Sequence, residues 1–252
     1  DFLFAAGSLL LPLPRPARAM AGTVWDVRAG REVDEATLVE ALREARYRLL
    51  GEVHDNAAHH AIRARLVDAL GRAGLKPVVA FEQFDAERDP ELQRLADPDA
   101  EDVAKAVRFD RKGWNWALYK PIVEAALGHR MPLRAANLSR AMAMRIARGE
   151  IPATLPPWPA ERERRLRRFI FAGHCEALPE KAMPGMAMAQ RARDSTLAGA
   201  LASPPRDGAV LIAGNAHVRH DFGVPLYLPA GALSVGFLEA SQGQSDLADH
   251  VP

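Results

Sequence analysis

Two stretches decide the fold: Tyr47-Arg-Leu-Leu-Gly51-Glu52-Val-His54 and Ala209-Val-Leu-Ile-Ala-Gly214-Asn215-Ala-His217-Val-Arg219. Each is a largely apolar run closed by a glycine, two residues and a histidine. A run of this length reads as a strand buried on both faces, and the glycine lets the chain turn sharply at its end. In an open α/β sheet, ligands bind in the crevice outside the carboxyl ends of the strands. If the two strands are neighbours, their histidines converge on that crevice.

Working outward, Asp34 caps a helix running to about Arg46, with Leu38 and Leu42 one turn apart. Asp55 or Asn56 caps the next, whose Ile62, Leu66 and Leu70 form an i, i+4 stripe before Gly74 ends it. Pro77-Val-Val-Ala-Phe-Glu82 is a further buried strand that also finishes in a carboxylate. This β-helix-β order predicts an α/β fold with a mostly parallel central sheet flanked by helices. The middle third reads as a helical insertion, with helices near 90–107, 119–128, 139–148, 161–171 and 184–201 and one strand near 131–136. Ile151 to Pro159 is too rich in proline to continue a helix and is read as a connection. Strand 209–213 returns to the sheet, and Pro225–Leu228 and Leu233–Leu238 read as final strands.

The 252 residues carry 33 basic against 32 acidic side chains, so no net field draws nucleic acid or an anionic membrane to the protein. A single cysteine, Cys175, excludes an intramolecular disulfide, and the cysteine and histidine spacing of a zinc finger is absent. Phe2 to Leu13 is largely apolar and Ala17-Arg-Ala19 follows it, the pattern of a secretory signal peptide, although no basic residues precede the run. The stretch is too short to span a bilayer. The expected organisation is a signal-like segment over 1–22, one α/β domain over 23–240 and a polar tail over 241–252, with the protein in the periplasm or at the outer-membrane periphery. No cysteine lies near Ala19, so a lipid anchor there is not expected.

Glu52, His54, Glu82 and His217 are placed by the strand argument at one end of the sheet. They are residue types that run acid–base catalysis, and His54, Glu82 and His217 could share a divalent metal. A lone strand-end histidine is ordinarily a hydrogen-bonded structural residue, whereas four such groups after three strands point to a site. Of His59 and His60, at most one can face the crevice. Asn215 and Arg219 flank His217. Arg191 either pairs with Asp194 along its helix or offers its guanidinium to a ligand carboxylate. Trp116 and Tyr119 share a helical face, either as core or as a plate over a planar ligand. His174 and Cys175, followed by Met183, Met186 and Met188, gather soft and borderline metal ligands or simply fill a core gap. The five arginines between Glu161 and Arg168 alternate with glutamates as on a solvated helix face.

These segments resemble the ChaN-like haem-binding uptake family, part of the wider Tiki/TraB/erythromycin-esterase superfamily. The matching motifs are L-L-G-E-V-H-D-N (49–56), F-E-Q (81–83), W-x-x-Y-x-P (116–121), G-H-C-x-x-L-P (173–179), Q-R-x-R-D (190–194) and G-N-A-H-V-R (214–219), within about Thr23 to Leu238. The resemblance implies an exported haem-binding protein of iron acquisition, working as a homodimer with outer-membrane haem-uptake components. It implies Tyr119 as the haem-iron ligand, with Trp116, His174 and Asn215 around the haem and Arg191 or Arg219 near the propionates. The wider superfamily implies instead an esterase- or protease-like hydrolase with His54 as base beside Glu52, Glu82 and His217, in some members with a bound metal.

Overall fold

Residues 23–239 are described by a computed structural model; the expected signal segment over 1–22 and the expected polar tail over 241–252 lie outside them. Strands β1 (Val24–Asp26) and β2 (Arg31–Val33) form a short antiparallel hairpin ahead of helix α1 (Glu35–Glu44), which Asp34 caps by accepting from the Thr37 N–H. Strand β3 (Tyr47–Leu50) follows, then α2 (Ala57–Arg72), capped by Asn56, and β4 (Val78–Asp85). Helices α3 (Asp89–Gln93), α4 (Ala100–Ala106) and α5 (Trp116–Gly128) lead to β5 (Leu133–Asn137). Helices α6 (Arg140–Ala147), α7 (Ala160–Gly173) and α8 (Met183–Leu201) precede β6 (Ala209–Ile212) and β7 (Ala232–Val235).

The larger sheet is wholly parallel, in the order β5-β4-β6-β3-β7. Its central strands are buried throughout, as their largely apolar runs require. Arg48, the one charge inside the β3 run, is also buried and gives its guanidinium hydrogens to the backbone carbonyls of Leu42, Arg43 and Asp207. Alternation then assigns each strand residue to a face. Leu50, Val79, Phe81 and Ile212 pack with α1, α2 and α5, while Leu49, Ala80, Leu211 and Ala213 pack with α8. Side chains cover the outer edge of β5: Asp89 accepts from the Ala135 N–H at 2.9 Å and Gln93 donates to the Leu133 carbonyl at 2.8 Å.

The α/β class and the parallel sheet are as the sequence predicts. The helix expected over 90–107 is two, because Asp97 takes a left-handed φ of 48° before Pro98 and Asp99 starts α4 afresh with a reciprocal capping box. Pro225–Leu228, expected as a strand, lies largely in a 3-10 turn over Val224–Tyr227, whose carbonyl of Pro225 accepts from the Leu228 N–H. Only Ala232–Val235 adds a final strand.

In register, Leu50 stands opposite Ile212, so β3 and β6 deliver their glycine-histidine segments side by side. Gly51 must lack a side chain there: a Cβ would run into Asn215 Oδ1 and lie 3.1 Å from the Val235 carbonyl. Gly51→Ala is expected to cost about 1–3 kcal/mol by overpacking, whereas Gly199→Ala, in open space on α8, should be neutral or gain up to about 1 kcal/mol. Urea unfolding of both variants checks this, and equal midpoints would contradict the close approach of the two segments.

Candidate functional site

The alternation that builds the core also directs the two carboxylates at the strand ends. Glu52 continues the Leu50 side and turns toward α2 and α5, whereas Glu82 continues the Ala80 side and turns toward α8. Each is buried, and a buried carboxylate is costly unless donors surround it.

Glu52 has them. It accepts from Tyr119 Oη at 2.9 Å and from Arg63 at 2.7 Å, and it lies 2.7 Å from both His54 Nδ1 and His60 Nε2. His60 Nδ1 accepts from Arg63, which leaves the proton on Nε2 facing Glu52. Burial works to raise the Glu52 carboxyl, but the bonds from His54 and His60 and the Arg63 charge hold it far below the ordinary range. Tyr119 shows the converse: burial, then the Glu52 charge, push its phenol far above the ordinary value.

On the other side of the sheet rim, Glu82 Oε1 lies 3.2 Å from His217 Nε2, and its Oε2 accepts from the Gly214 N–H at 2.7 Å. His217 Nδ1 is 2.6 Å from Asp194 of α8, so one imidazole bridges two buried carboxylates. Burial opposes every charge in this group. The paired carboxylates nevertheless raise His217 to about 10, and the His217 charge and bonds lower Glu82 to about 2. Burial wins at Asp194, which rises to about 6.

The two groups meet at His54. Its ring packs over Gly214, where a Cβ would come within 2.7 Å of Cε1, and it feels the charges of both Glu82 and His217. Trp114 meets the ring edge-on at 4.7 Å. Burial depresses the imidazole's basicity, but the bond to Glu52 and the neighbouring carboxylates raise it overall. The His54 side chain is 52% exposed, while Glu52 and Asp194 have no exposed side-chain surface. The arrangement is a half-open imidazole backed by a buried carboxylate, beside a second, buried histidine. Such a pair can accept and release a proton at the rim.

The four strand-end residues are thus together, joined by Tyr119 through its bond to Glu52 and by Asn215, whose N–H donates to the Glu52 carbonyl, while Trp116, His174, Arg191 and Arg219 are turned to other partners. Trp116 and Tyr119 do share a helix face, but it is the core face: the Trp116 indole donates to Glu101 at 2.7 Å and Tyr119 is fully buried. Arg191 does not pair with Asp194; it donates to Glu163 at 3.0 Å and to the Pro156 carbonyl, and stacks on Trp158 at 4.2 Å. Arg219 is held by both oxygens of Asp221 over the Phe222 ring. Asn215 clamps the backbone of Phe237 through its N–H and C=O. His174 bonds the Ile170 carbonyl at the end of α7, in a turn where Cys175 and Glu176 both have positive φ. His59 accepts from the Val53 N–H, so His60 is the member of that pair that serves the crevice. Among the described residues no three His, Cys, Asp or Glu side chains are arranged to hold a metal ion, so the expected sharing of one by His54, Glu82 and His217 is not formed. Glu82 and His217 are turned on each other, on Asp194 and on the Gly214 N–H, and His54 Nδ1 on Glu52.

Arg63, Trp114 and the Asp194–His217 contact escaped the sequence reading. Arg63 stands three residues after His60, a helical spacing that puts both on the Glu52 face, and Asp194 lies in the stripe Ala187-Arg191-Asp194-Ala198-Leu201 that α8 buries.

The family model described as haem-binding uptake, Tiki superfamily, ChaN matches residues 38–228, which include both glycine-histidine segments. Among solved structures, ChaN of Campylobacter jejuni, in a structure of cofacial haem binding, superposes with a TM-score of 0.76 at 22% identity over 89% of this chain and 92% of that one. The type III effector HopBA1 gives 0.44 at 12% identity over 82% of this chain and 83% of that one. RRSP, a MARTX toxin effector domain from Vibrio vulnificus, gives 0.43 at 18% over 79% and 35%. Among curated proteins, none matches the chain.

The ion network has a definite pH dependence. His217 is raised from 6.5 to about 10, so its contribution is complete below pH 6.5 and lost as pH rises through about 10. Glu82 is lowered from 4.5 to about 2, so its contribution is complete above pH 4.5 and lost as pH falls through about 2. Asp194, raised from 3.8 to about 6, acts in the opposite sense: its charge costs stability above about 6 and not below 3.8. The stability difference between the parent chain and His217→Gln should therefore be largest between pH 4.5 and 6.5. Denaturant unfolding across a pH series measures it, and a difference that keeps growing into alkali contradicts the charge assignment.

Proposed function

The chain belongs to the haem-binding uptake family of the Tiki superfamily that includes ChaN, and we propose from that membership that it binds haem in iron acquisition. The observation that carries the reading is a family match that runs through both rim segments, Gly51–His54 and Gly214–Arg219. A haem is a broad apolar disc with two carboxylates, and it needs an accessible axial donor beside an apolar or aromatic surface. The rim bearing His54 and Trp114 has this character. Tyr119 does not fit the ligand role that the resemblance implies, since its hydroxyl is buried and committed to Glu52. Arg191 and Arg219 are likewise engaged by Glu163 and Asp221. The largely apolar run over 2–13 and the Ala17-Arg-Ala19 that follows support export as part of the same reading.

Titrating haem into the purified chain should give a saturable Soret band with a defined stoichiometry, and cell fractionation should recover the protein outside the cytoplasm. A featureless rise in absorbance, matching that of a protein without a haem site, removes the haem reading.

A second reading rests on the His54–Glu52 pair. A half-exposed histidine whose Nδ1 is held by a buried carboxylate has the form of a general base, with Glu52 fixing its tautomer. On this reading the chain hydrolyses an ester or amide, and His217, buried between Glu82 and Asp194, keeps the neighbouring charge fixed. In a panel of activated esters, loss of turnover by about 10²-fold or more in His54→Ala is the outcome expected of a general base. Equal background rates in parent and variant dismiss it.

A further inference from the structure

The tyrosine that the resemblance implies as iron ligand is closed off, and the structure carries an alternative. The sequence has three tyrosines. Tyr47 and Tyr119 are buried, and the Tyr227 hydroxyl is turned inward beside Arg191, with no surface of its own. Bringing the Tyr119 oxygen to an iron would strip a donor from a buried Glu52 and require α5 to leave the core. None of the three offers a phenolate to a disc at the surface.

The described histidines differ sharply in what their ring nitrogens already do. His59 and His60 are buried and hydrogen-bonded, His129 is bound to Asp68 at 2.8 Å, and His217 lies between two carboxylates. Three imidazoles are exposed: His54, His174 and His220. His54 stands in the turn that follows β3, with an indole perpendicular to its ring and a glycine beneath it. Its Nδ1 faces Glu52 at 2.7 Å, and its Nε2 has no hydrogen bond among the described residues. In the neutral ring the proton then sits on Nδ1, shared with Glu52, and the lone pair is on Nε2. Histidines that bind metal nearly always have this form, the second nitrogen donating to a carboxylate or carbonyl that fixes the tautomer and strengthens the donor.

We infer that the Nε2 of His54, backed by Glu52 and flanked by Trp114, is the haem-iron ligand of this chain in place of a tyrosine. The inference rests on the haem-binding reading above. His54 supplies the donor atom. Glu52 is a positioning residue: it acts through His54, and its other partners, Arg63, His60 and Tyr119, keep it ionised and immobile so that the ring cannot rotate away. His174 is the nearest competitor, because its Nδ1 also faces an acceptor, the Ile170 carbonyl. It lies in the turn between α7 and α8, with no carboxylate behind it.

The test uses the full chain reconstituted with haem. Resonance Raman of the reduced form should show an iron–histidine stretch that shifts when the chain is made with ¹⁵N-histidine. His54→Ala should lose that band and the parent Soret position, and added imidazole should restore them; His174→Ala should keep both. The inference is overturned by a tyrosinate charge-transfer band that vanishes in Tyr119→Phe, by an unchanged spectrum in His54→Ala, or by loss of the histidine band in His174→Ala alone. Each of these leaves haem binding intact, whereas a parent chain that takes up no haem overturns the haem reading and the ligand together.

Discussion

A carboxylate without exposed surface holds the rim of this protein in place. Glu52 sits at the end of β3, where the backbone has left the sheet, and an ionised group there is costly unless several donors reach it. Tyr119 from α5, Arg63 and His60 from α2, and His54 from the following loop all do so. One side chain thereby ties two helices and a loop to the strand. Loss of a single donor leaves the charge short of partners, a situation that typically costs about 3–5 kcal/mol when a buried ion pair is broken from one side. The position of His54 follows from this arrangement. The half-open imidazole is steady because its nearest neighbour is locked.

The second buried group obeys the same rule with the opposite helix. Glu82, one strand away from β6, faces α8 because strand residues alternate between faces, and it meets His217 and the Gly214 N–H there. Asp194 completes the bridge from α8. The sheet therefore separates two acid–histidine groups, one for each helical layer, and lets them touch only over its rim at Gly214. A side chain at that glycine would displace His54, so the absence of a Cβ is what allows the two groups to share one crevice.

The two proposed readings, haem binding and hydrolysis, rest on this one construction. An imidazole with a carboxylate behind it is a good metal donor and a good base for the same reason: the proton is fixed on the inner nitrogen and the outer lone pair is presented to the surface. Which use a protein makes of it depends on what lies against the outer face. The Trp114 ring beside His54 is the feature that suits a flat aromatic ligand, and the family to which the chain belongs agrees with it.

Much of this was legible in the residues alone. The apolar runs, the closing glycines and the caps Asp34 and Asn56 determined the strands, the first helices and the parallel α/β class, because period and capping are local properties of the chain. The placement of Glu52, His54, Glu82 and His217 at one sheet end followed from the same local reasoning. What the sequence left open were choices between partners distant along the chain. Trp116 and Tyr119 look alike whether their shared face meets core or ligand, and Arg191 can pair with Asp194 by spacing yet is drawn instead to Glu163 and Trp158. Asp194 reads as a helix-surface acid until α8 is laid on the sheet and His217 comes within 2.6 Å of it. Local pattern determines which residues leave the strands together; only packing decides which of them are desolvated, and desolvation is what obliges each buried charge to take the partner that fixes its role.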